Sequence, residues 1–133
     1  MIGFVIDASA ILELITGPAP HQELRQTALT TRGAAPELID LEAASMIRRA
    51  VRSGQVRAEV GRARLRAVSD TPVTRTAHRP LLPRVWELRH AITAYDAAYV
   101  ALAEQLDVPL LTCDSELGGA NGHGAEIVVY PRS

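Results

Sequence analysis

Short apolar runs alternate along this chain with longer segments in which apolar residues recur at the spacing of a helix. Apolar runs of about four to eight residues are typical of buried strands, and helical spacing is typical of helices that cover a sheet. The pattern predicts strands at 2–6, 108–112 and 127–130. It predicts helices at 8–15, 21–31, 38–52, 55–67, 81–89 and 93–106, with an extended link at 72–78 and a glycine-rich loop at 118–124.

Strands that alternate with helices predict an α/β fold built around a parallel sheet. The 133 residues suit one compact domain that spans 1–133, and no internal repeat is visible. No apolar run approaches the roughly 18 residues that a membrane span requires. The single cysteine, Cys113, excludes an internal disulfide and a multi-cysteine metal site, so we expect a cytoplasmic protein.

Basic residues are concentrated in the middle of the chain. All 14 are arginine, and eleven of them lie between Arg48 and Arg89 with only three acids, which gives this segment a net charge of +8. A basic middle flanked by acidic ends favours a surface that faces a polyanion. Solvated helix faces explain the same pattern equally well. If the segment does hold RNA, we expect Arg48, Arg49 and Arg52 to contact its phosphates.

Two acids follow predicted strands directly. Asp7 comes after the strand at 2–6, and Asp114 comes two residues after the strand at 108–112. Ligands of open α/β sheets bind just outside the carboxyl ends of the strands. The two carboxylates therefore meet in one crevice if the two strands are neighbours.

Two further acids lie on the apolar faces of predicted helices. Glu42 is four residues from both Leu38 and Met46, and Asp96 is three residues before Tyr99. An unpaired buried carboxylate is costly, so both acids need a partner. A shared metal ion would serve both.

Each of the four acids also has a structural explanation. Asp7 can cap the following helix, Asp96 lies at capping-box spacing from Thr93, Asp114 can open a turn, and Glu42 can pair with an arginine. Taken singly, these explanations are as good as the functional one. Taken together, two acids at strand ends and two on inward helix faces are the arrangement that lines one pocket.

Carboxylates without clustered histidine or cysteine favour a hard cation, Mg²⁺, for which Mn²⁺ substitutes. Such an ion can activate water for attack on a phosphodiester. No serine–histidine or cysteine–histidine pairing stands out in the sequence, so water is the expected nucleophile.

Four segments, in order, resemble the VapC toxins of the PIN-domain family. They are FVIDASAIL around Asp7, APELIDLEAASMIRR around Glu42, HRPLLPRVWELRHAITAYDAAYVALAEQL around Asp96, and VPLLTCDSEL around Asp114. The resemblance covers nearly the whole chain. It implies a PIN-domain fold, in which helices flank both sides of a central, mainly parallel sheet.

The resemblance also implies a function and partners. These are Mg²⁺-dependent cleavage of RNA, a homodimer, and a cognate VapB-type antitoxin that occludes the active site in a hetero-oligomer. Asp7, Glu42, Asp96 and Asp114 would be the catalytic and metal-binding residues, with Ser9 and Thr112 in support; Glu116 is close enough in sequence to assist through water.

Other readings of the same residues remain open. A catalytically silent PIN-like module that only binds RNA or a partner would carry the same fold, and only an assay decides between the two. Among the remaining residues, we interpret Asp40 as structural, and Trp86, Tyr95 and Tyr99 as core or dimer contacts rather than as platforms for bases.

Overall fold

A computed structural model describes all 133 residues of the chain. Five parallel strands form one sheet, and seven helices and one 3-10 turn surround them. The strands are β1 (Ile2–Ile6), β2 (Arg32–Pro36), β3 (Thr74–Thr76), β4 (Leu110–Thr112) and β5 (Ile127–Val129). The helices are α1 (Ala8–Thr16), α2 (Gln22–Thr30), α3 (Ile39–Arg52), α4 (Ala58–Asp70), α5 (Leu82–Glu87), α6 (Ala94–Leu106) and α7 (Ser115–Gly118), and the 3-10 turn is Arg79–Leu81.

The strand order is β3-β2-β1-β4-β5, and every neighbouring pair is parallel. This order places β1 at the centre, with β4 beside it in a register that pairs Ile6 with Leu111. The residues that follow β1 and β4 therefore emerge next to each other at the carboxyl edge of the sheet. The predicted α/β fold with a parallel sheet is confirmed.

The core is aliphatic and centres on β1 and α6. Phe4, Val5 and Ile6 of β1 are buried, and every residue of α6 from Ala97 to Ala103 is buried as well. Helix α6 packs against β1, β2 and β4, with α5 against it, while α1, α3 and α4 pack against one another. A helix buried on so many sides has a fixed position, which fixes Asp96 in its first turn.

Strand β2 was missed by the sequence pattern. Its residues, Arg-Gly-Ala-Ala-Pro, form no bulky apolar run, and the preceding helix was expected to continue to 31 and end at Gly33. Gly33 instead lies in the strand against the ring of Phe4, where a Cβ atom would approach Cε2 to 2.3 Å. Small residues are needed here because the neighbouring strand supplies the bulk.

Three other elements differ from the pattern. The extended link at 72–78 contains an edge strand, β3, and helix α4 begins and ends three residues later than expected. The short helix α7 ends within the glycine-rich segment at 118–124. None of the helices combines the length and the hydropathy that a membrane crossing requires.

Candidate active site

The carboxyl edge of the sheet brings the four predicted acids together. Asp7 follows β1, Asp114 follows β4, and Glu42 and Asp96 lie in the first turns of α3 and α6. Burial is the main reason that the pKa values of Asp7, Glu42 and Asp96 are raised, and the neighbouring charges add to it. Asp114 acts on Asp7, Asp96 and Asp7 act on Glu42, and Asp114 and Asp7 act on Asp96. The negative charge of Glu116 also contributes at Asp96.

Asp7 is the most buried of these acids, with 6% of its surface exposed. Its Oδ1 accepts hydrogen bonds from the Ser9 hydroxyl at 2.7 Å and the Ala10 N–H at 3.0 Å, and its Oδ2 accepts one from the Thr112 hydroxyl. The bond from Ala10 makes Asp7 the N-cap of α1, so the structural explanation holds beside the functional one. Burial raises the pKa of Asp7 despite these three hydrogen bonds, which lower it.

The hydroxyls of Ser9 and Thr112 connect the ends of β1 and β4. Ser9 Oγ accepts a hydrogen bond from the Cys113 N–H at 2.9 Å, and Thr112 Oγ1 accepts one from the Asp114 N–H at 3.0 Å. Each hydroxyl thus donates to Asp7 and accepts from a backbone N–H, which is that of Cys113 for Ser9 and that of Asp114 for Thr112. The two hydroxyls therefore fix the position of Asp7 relative to Asp114.

Asp114 has a capping role of its own. Its Oδ1 accepts a hydrogen bond from the Glu116 N–H at 2.9 Å at the start of α7. The Glu116 side chain is exposed beside it.

Glu42 is held by a buried tyrosine. The Tyr99 hydroxyl donates to Glu42 Oε1 at 2.6 Å, and Tyr99 itself is 1% exposed. Burial raises the pKa of Glu42, and the bond from Tyr99 opposes that increase. Burial and the neighbouring carboxylates raise the pKa of Tyr99 far above its usual value, so the phenol remains a donor.

Sequence reasoning placed Tyr99 correctly in the core but missed its contact with Glu42. The available signal was its position three residues after Asp96, one turn along the same helix face. Glu42 forms no ion pair with an arginine, which was its alternative explanation.

We expect Tyr99→Phe to fold and to bind a divalent cation less tightly. The change removes one hydroxyl and keeps the buried ring, but it leaves Glu42 free to turn. We expect the affinity for Mn²⁺ to fall roughly tenfold, as for other residues that orient ligands. Calorimetric titration of the metal-free protein with Mn²⁺ measures the affinity. An unchanged affinity with reduced stability would reduce Tyr99 to a packing residue.

Asp96 lies on the wall of an open cleft. The Thr93 hydroxyl accepts a hydrogen bond from the Asp96 N–H at 3.2 Å, so Thr93 caps α6. The cleft has a volume of about 730 Å³, and Asp96, Asp114 and Glu116 line it together with Arg89 and others. Burial is the main reason that the pKa of Asp96 is raised. Asp7 and Glu42 do not line the cleft.

The donor set fits a hard divalent cation. Four carboxylates share one edge of the sheet, none of them forms an ion pair with an arginine, and three have a raised pKa because they are buried near one another. No three Asp, Glu, His or Cys side chains converge closely enough to ligate an ion directly. Mg²⁺ commonly keeps several water ligands, so this spacing suits binding through one or two carboxylates and water.

The predicted RNA-contacting arginines lie away from these acids. Arg48, Arg49 and Arg52 are exposed on the last turns of α3, whereas Glu42 is in its first turn. They are six to ten residues from Glu42, or roughly 9 to 15 Å along the helix. None of them lines the acid-lined cleft.

Two of the aromatic residues interpreted as core or dimer contacts do not belong to the core, and their role as dimer contacts stays a prediction. Trp86 is 67% exposed and Tyr95 is 63% exposed. Asp40, in contrast, is structural as expected: Arg75 donates to both of its carboxylate oxygens, at 2.9 and 3.3 Å.

The fold and the site define an α/β protein with an acidic centre at the carboxyl edge of a parallel sheet. The model of the PIN domain matches residues 4–121 of the chain. "Ribonuclease VapC1" of Mycobacterium tuberculosis is 43% identical over 125 residues, which cover 92% of this chain and 94% of that protein. "Ribonuclease VapC12" of the same organism is 40% identical over 124 residues, with coverage of 92% and 95%. The chain therefore belongs to the VapC family of PIN-domain proteins.

Solved structures agree on the fold. PAE2754 from Pyrobaculum aerophilum superposes with a TM-score of 0.74 at 24% identity, and the match covers 96% of this chain and 84% of PAE2754. VapBC2 from Rickettsia felis, bound to a DNA fragment from its promoter, superposes with a TM-score of 0.69 at 13% identity and covers 98% and 99%.

Proposed function

We propose that this protein is a Mg²⁺-dependent endoribonuclease and the toxin of a VapBC-type pair. The observation that carries the proposal is the group of acids at the sheet edge, Asp7, Glu42, Asp96 and Asp114, which act on one another electrostatically and have no arginine partner. Like charges that are partly buried beside one another destabilise a fold, and a bound cation would offset that cost. The relatives named as ribonucleases support RNA as the substrate.

In this proposal one or two of the four carboxylates would hold the cation directly and the others would contact it through water. The cation would supply an activated water and neutralise charge on the phosphodiester. The residues around them keep the carboxylates oriented. Ser9 and Thr112 fix Asp7, and Tyr99 fixes Glu42. Asp96 and Asp114 line the cleft through which a substrate would enter. Glu116 lines the same cleft and would contact the cation through water.

A cleavage assay tests the activity. Purified protein freed of metal is incubated with a labelled single-stranded RNA, with Mg²⁺, with Mn²⁺ or with chelator. We expect internal cuts with either metal and none with chelator. RNA that is bound but stays intact under all conditions would instead favour a silent PIN-like binding module.

The same proposal includes partners: a VapB-type antitoxin and a second copy of the chain. VapBC2 of Rickettsia felis supports the first, and family resemblance is the basis for the homodimer. We expect sedimentation equilibrium to give a dimer alone and a larger hetero-oligomer with antitoxin. A monomer at all accessible concentrations would contradict the dimer.

Antitoxin binding should depend on access to the acids. Ser9 lines a small groove of about 260 Å³ with Leu12, Met46 and Arg64, and its hydroxyl is bonded to Asp7. We expect Ser9→Trp to weaken antitoxin binding and Ser9→Ala, which removes the same hydroxyl without adding bulk, to leave it nearly unchanged. Calorimetric titration measures both. Equal affinity for Ser9→Trp would exclude occlusion of this side of the site.

The basic segment gives a separate prediction about RNA affinity. Replacing Arg48, Arg49 and Arg52 together with glutamine should weaken RNA binding and flatten its salt dependence, because fewer counterions are released. For three lost contacts to a single strand, the slope of log affinity against log salt should fall by about 2. Arg25→Gln, on α2, is the control. An unchanged slope would assign the three arginines to solvation or to antitoxin contact.

A further inference from the structure

The exposed side chain of Trp86 is in contact with Arg89 beside the acid-lined cleft. Trp86 is the only tryptophan of the chain and is 67% exposed. The guanidinium carbon of Arg89 lies 4.4 Å from the centroid of its ring, and Arg89 Nη1 donates to the Trp86 carbonyl oxygen at 2.8 Å. A cation over an indole is a favourable contact, and the hydrogen bond fixes the arginine in that position.

Arg89 also belongs to the wall of the cleft. It is the one arginine among the residues that line the cleft. The other charged lining residues are the acids Asp96, Asp114 and Glu116. A polyanion that reaches these acids is repelled by them, and Arg89 offers the compensating positive charge on the path. The guanidinium is suited to phosphate because it can donate two parallel hydrogen bonds.

The chemistry of the pair favours single-stranded RNA over a protein surface. Single-stranded RNA is recognised by stacking of its unpaired bases on aromatic side chains and guanidinium planes, and duplex RNA hides those faces. A second copy of the chain packed here would have to desolvate the charge of Arg89 next to the acids of the cleft, which is unfavourable without a buried partner.

We propose that Trp86 and Arg89 form a nucleotide subsite at the mouth of the cleft. Arg89 binds a backbone phosphate and Trp86 stacks on an unpaired base close to the phosphodiester that is cut. The subsite rests on the proposed ribonuclease function and adds a requirement for unpaired bases in the substrate.

Because Trp86 is the only tryptophan, its fluorescence reports the stacking directly. Metal-free protein in chelator and low salt is titrated with a short single-stranded RNA and with an abasic RNA backbone of equal length. Anisotropy of a label on the RNA measures binding. We expect both to bind and only the RNA with bases to quench Trp86. Binding of the intact RNA without a change in Trp86 fluorescence would overturn the subsite.

Variants of Trp86 test how much the stacked base contributes to the affinity for RNA. Trp86→Leu should fold normally because the side chain is exposed, and we expect RNA affinity to fall about tenfold, in line with the loss of one stacked base. In cleavage, KM should rise with little change in kcat, and Trp86→Phe should recover part of the loss. Leu29→Ala, at an exposed apolar residue on α2, is the matched control and should keep the parental affinity.

Three outcomes separate this subsite from its alternatives. If Trp86→Leu keeps parental KM and affinity but changes the oligomeric state in sedimentation, the surface is an interface between copies and the subsite is wrong. If the parent cleaves RNA while Trp86→Leu has an unchanged KM, the subsite fails and the ribonuclease function stands. If no RNA is cleaved or bound by the parent, the proposed function fails first.

Discussion

Asp96→Asn should abolish RNA cleavage without destabilising the metal-free protein. Asparagine has nearly the shape of aspartate, and Thr93 rather than Asp96 caps helix α6, so the helix start is preserved. The variant loses one charge from a group in which Asp114 and Asp7 already disfavour ionisation of Asp96. We therefore expect the free energy of unfolding without metal to stay equal or to increase. Cleavage should fall by roughly 100-fold or more, the scale of losing one preorganised electrostatic contact.

Asp7→Asn is the more demanding test of the two variants because Asp7 also caps α1. Asparagine caps helices about as well as aspartate, but its amide nitrogen cannot accept the hydrogen bond that one of the two hydroxyls donates to Asp7. We expect the same loss of cleavage, with a change in stability of about 1 kcal/mol in either direction because a lost hydrogen bond opposes relief from burial.

Melting curves and cleavage assays on the same preparations check both variants. Asp70→Asn, an exposed acid at the end of α4, is the matched control and should behave as the parent. Asp96→Asn or Asp7→Asn protein that cuts RNA at the parental rate in Mg²⁺ would refute the assignment of the site.

Without metal, the protein should be more stable at pH 5.5 than at pH 8. Burial and like charges raise the pKa of Asp7, Glu42 and Asp96 in the folded protein. The pKa of such a carboxyl is higher in the folded protein than in the unfolded chain, where it is near 4. The stability that it contributes is fully present below the pKa of the unfolded chain and is lost as the pH rises through the pKa of the folded protein. We therefore expect Tm in chelator to fall as the pH is raised from 5.5 to 8. The ion pair of Glu104 with Arg84 acts at lower pH, because it lowers the pKa of Glu104.

A divalent cation should reverse this trend. It binds the ionised carboxylates, so its stabilising effect grows as pH rises and depends on its affinity for the fold. We expect added Mg²⁺ or Mn²⁺ to raise Tm most at pH 8 and little at pH 5.5. Asp96→Asn should flatten the metal-free profile and reduce the metal effect. A parent whose Tm rises with pH in chelator would contradict the electrostatic description of the site.

The sequence was most informative where polar residues interrupt apolar patterns. Asp7 and Asp114 end apolar runs, and Glu42 and Asp96 interrupt helix faces that must be buried, so four positions could be singled out before any contact was known. Their common location could be predicted only with knowledge of the strand order, because no local sequence pattern indicates that β1 lies beside β4.

The contacts that orient the acids could not be predicted from local pattern. The bond from Tyr99 to Glu42 joins residues 57 apart in the chain, and the bond from Thr112 to Asp7 joins residues 105 apart. Strand β2 was missed because its fit depends on the ring of Phe4 from the neighbouring strand. The sequence also left open whether Trp86 is a core residue or a dimer contact, because Val85 and Leu88 on either side of it are buried, and its exposure excludes only the core.

The most direct test of the central claim is calorimetric titration of metal-free protein with Mn²⁺ at pH 8. The claim is that Asp7, Glu42, Asp96 and Asp114 form one site for a divalent cation, which some of them contact directly and the others through water. We expect saturable binding to the parent and to the Asp70→Asn control, and at least tenfold weaker binding to Asp96→Asn and to Glu42→Gln. Equal affinity for all four proteins would contradict the claim, because the ion would then bind elsewhere.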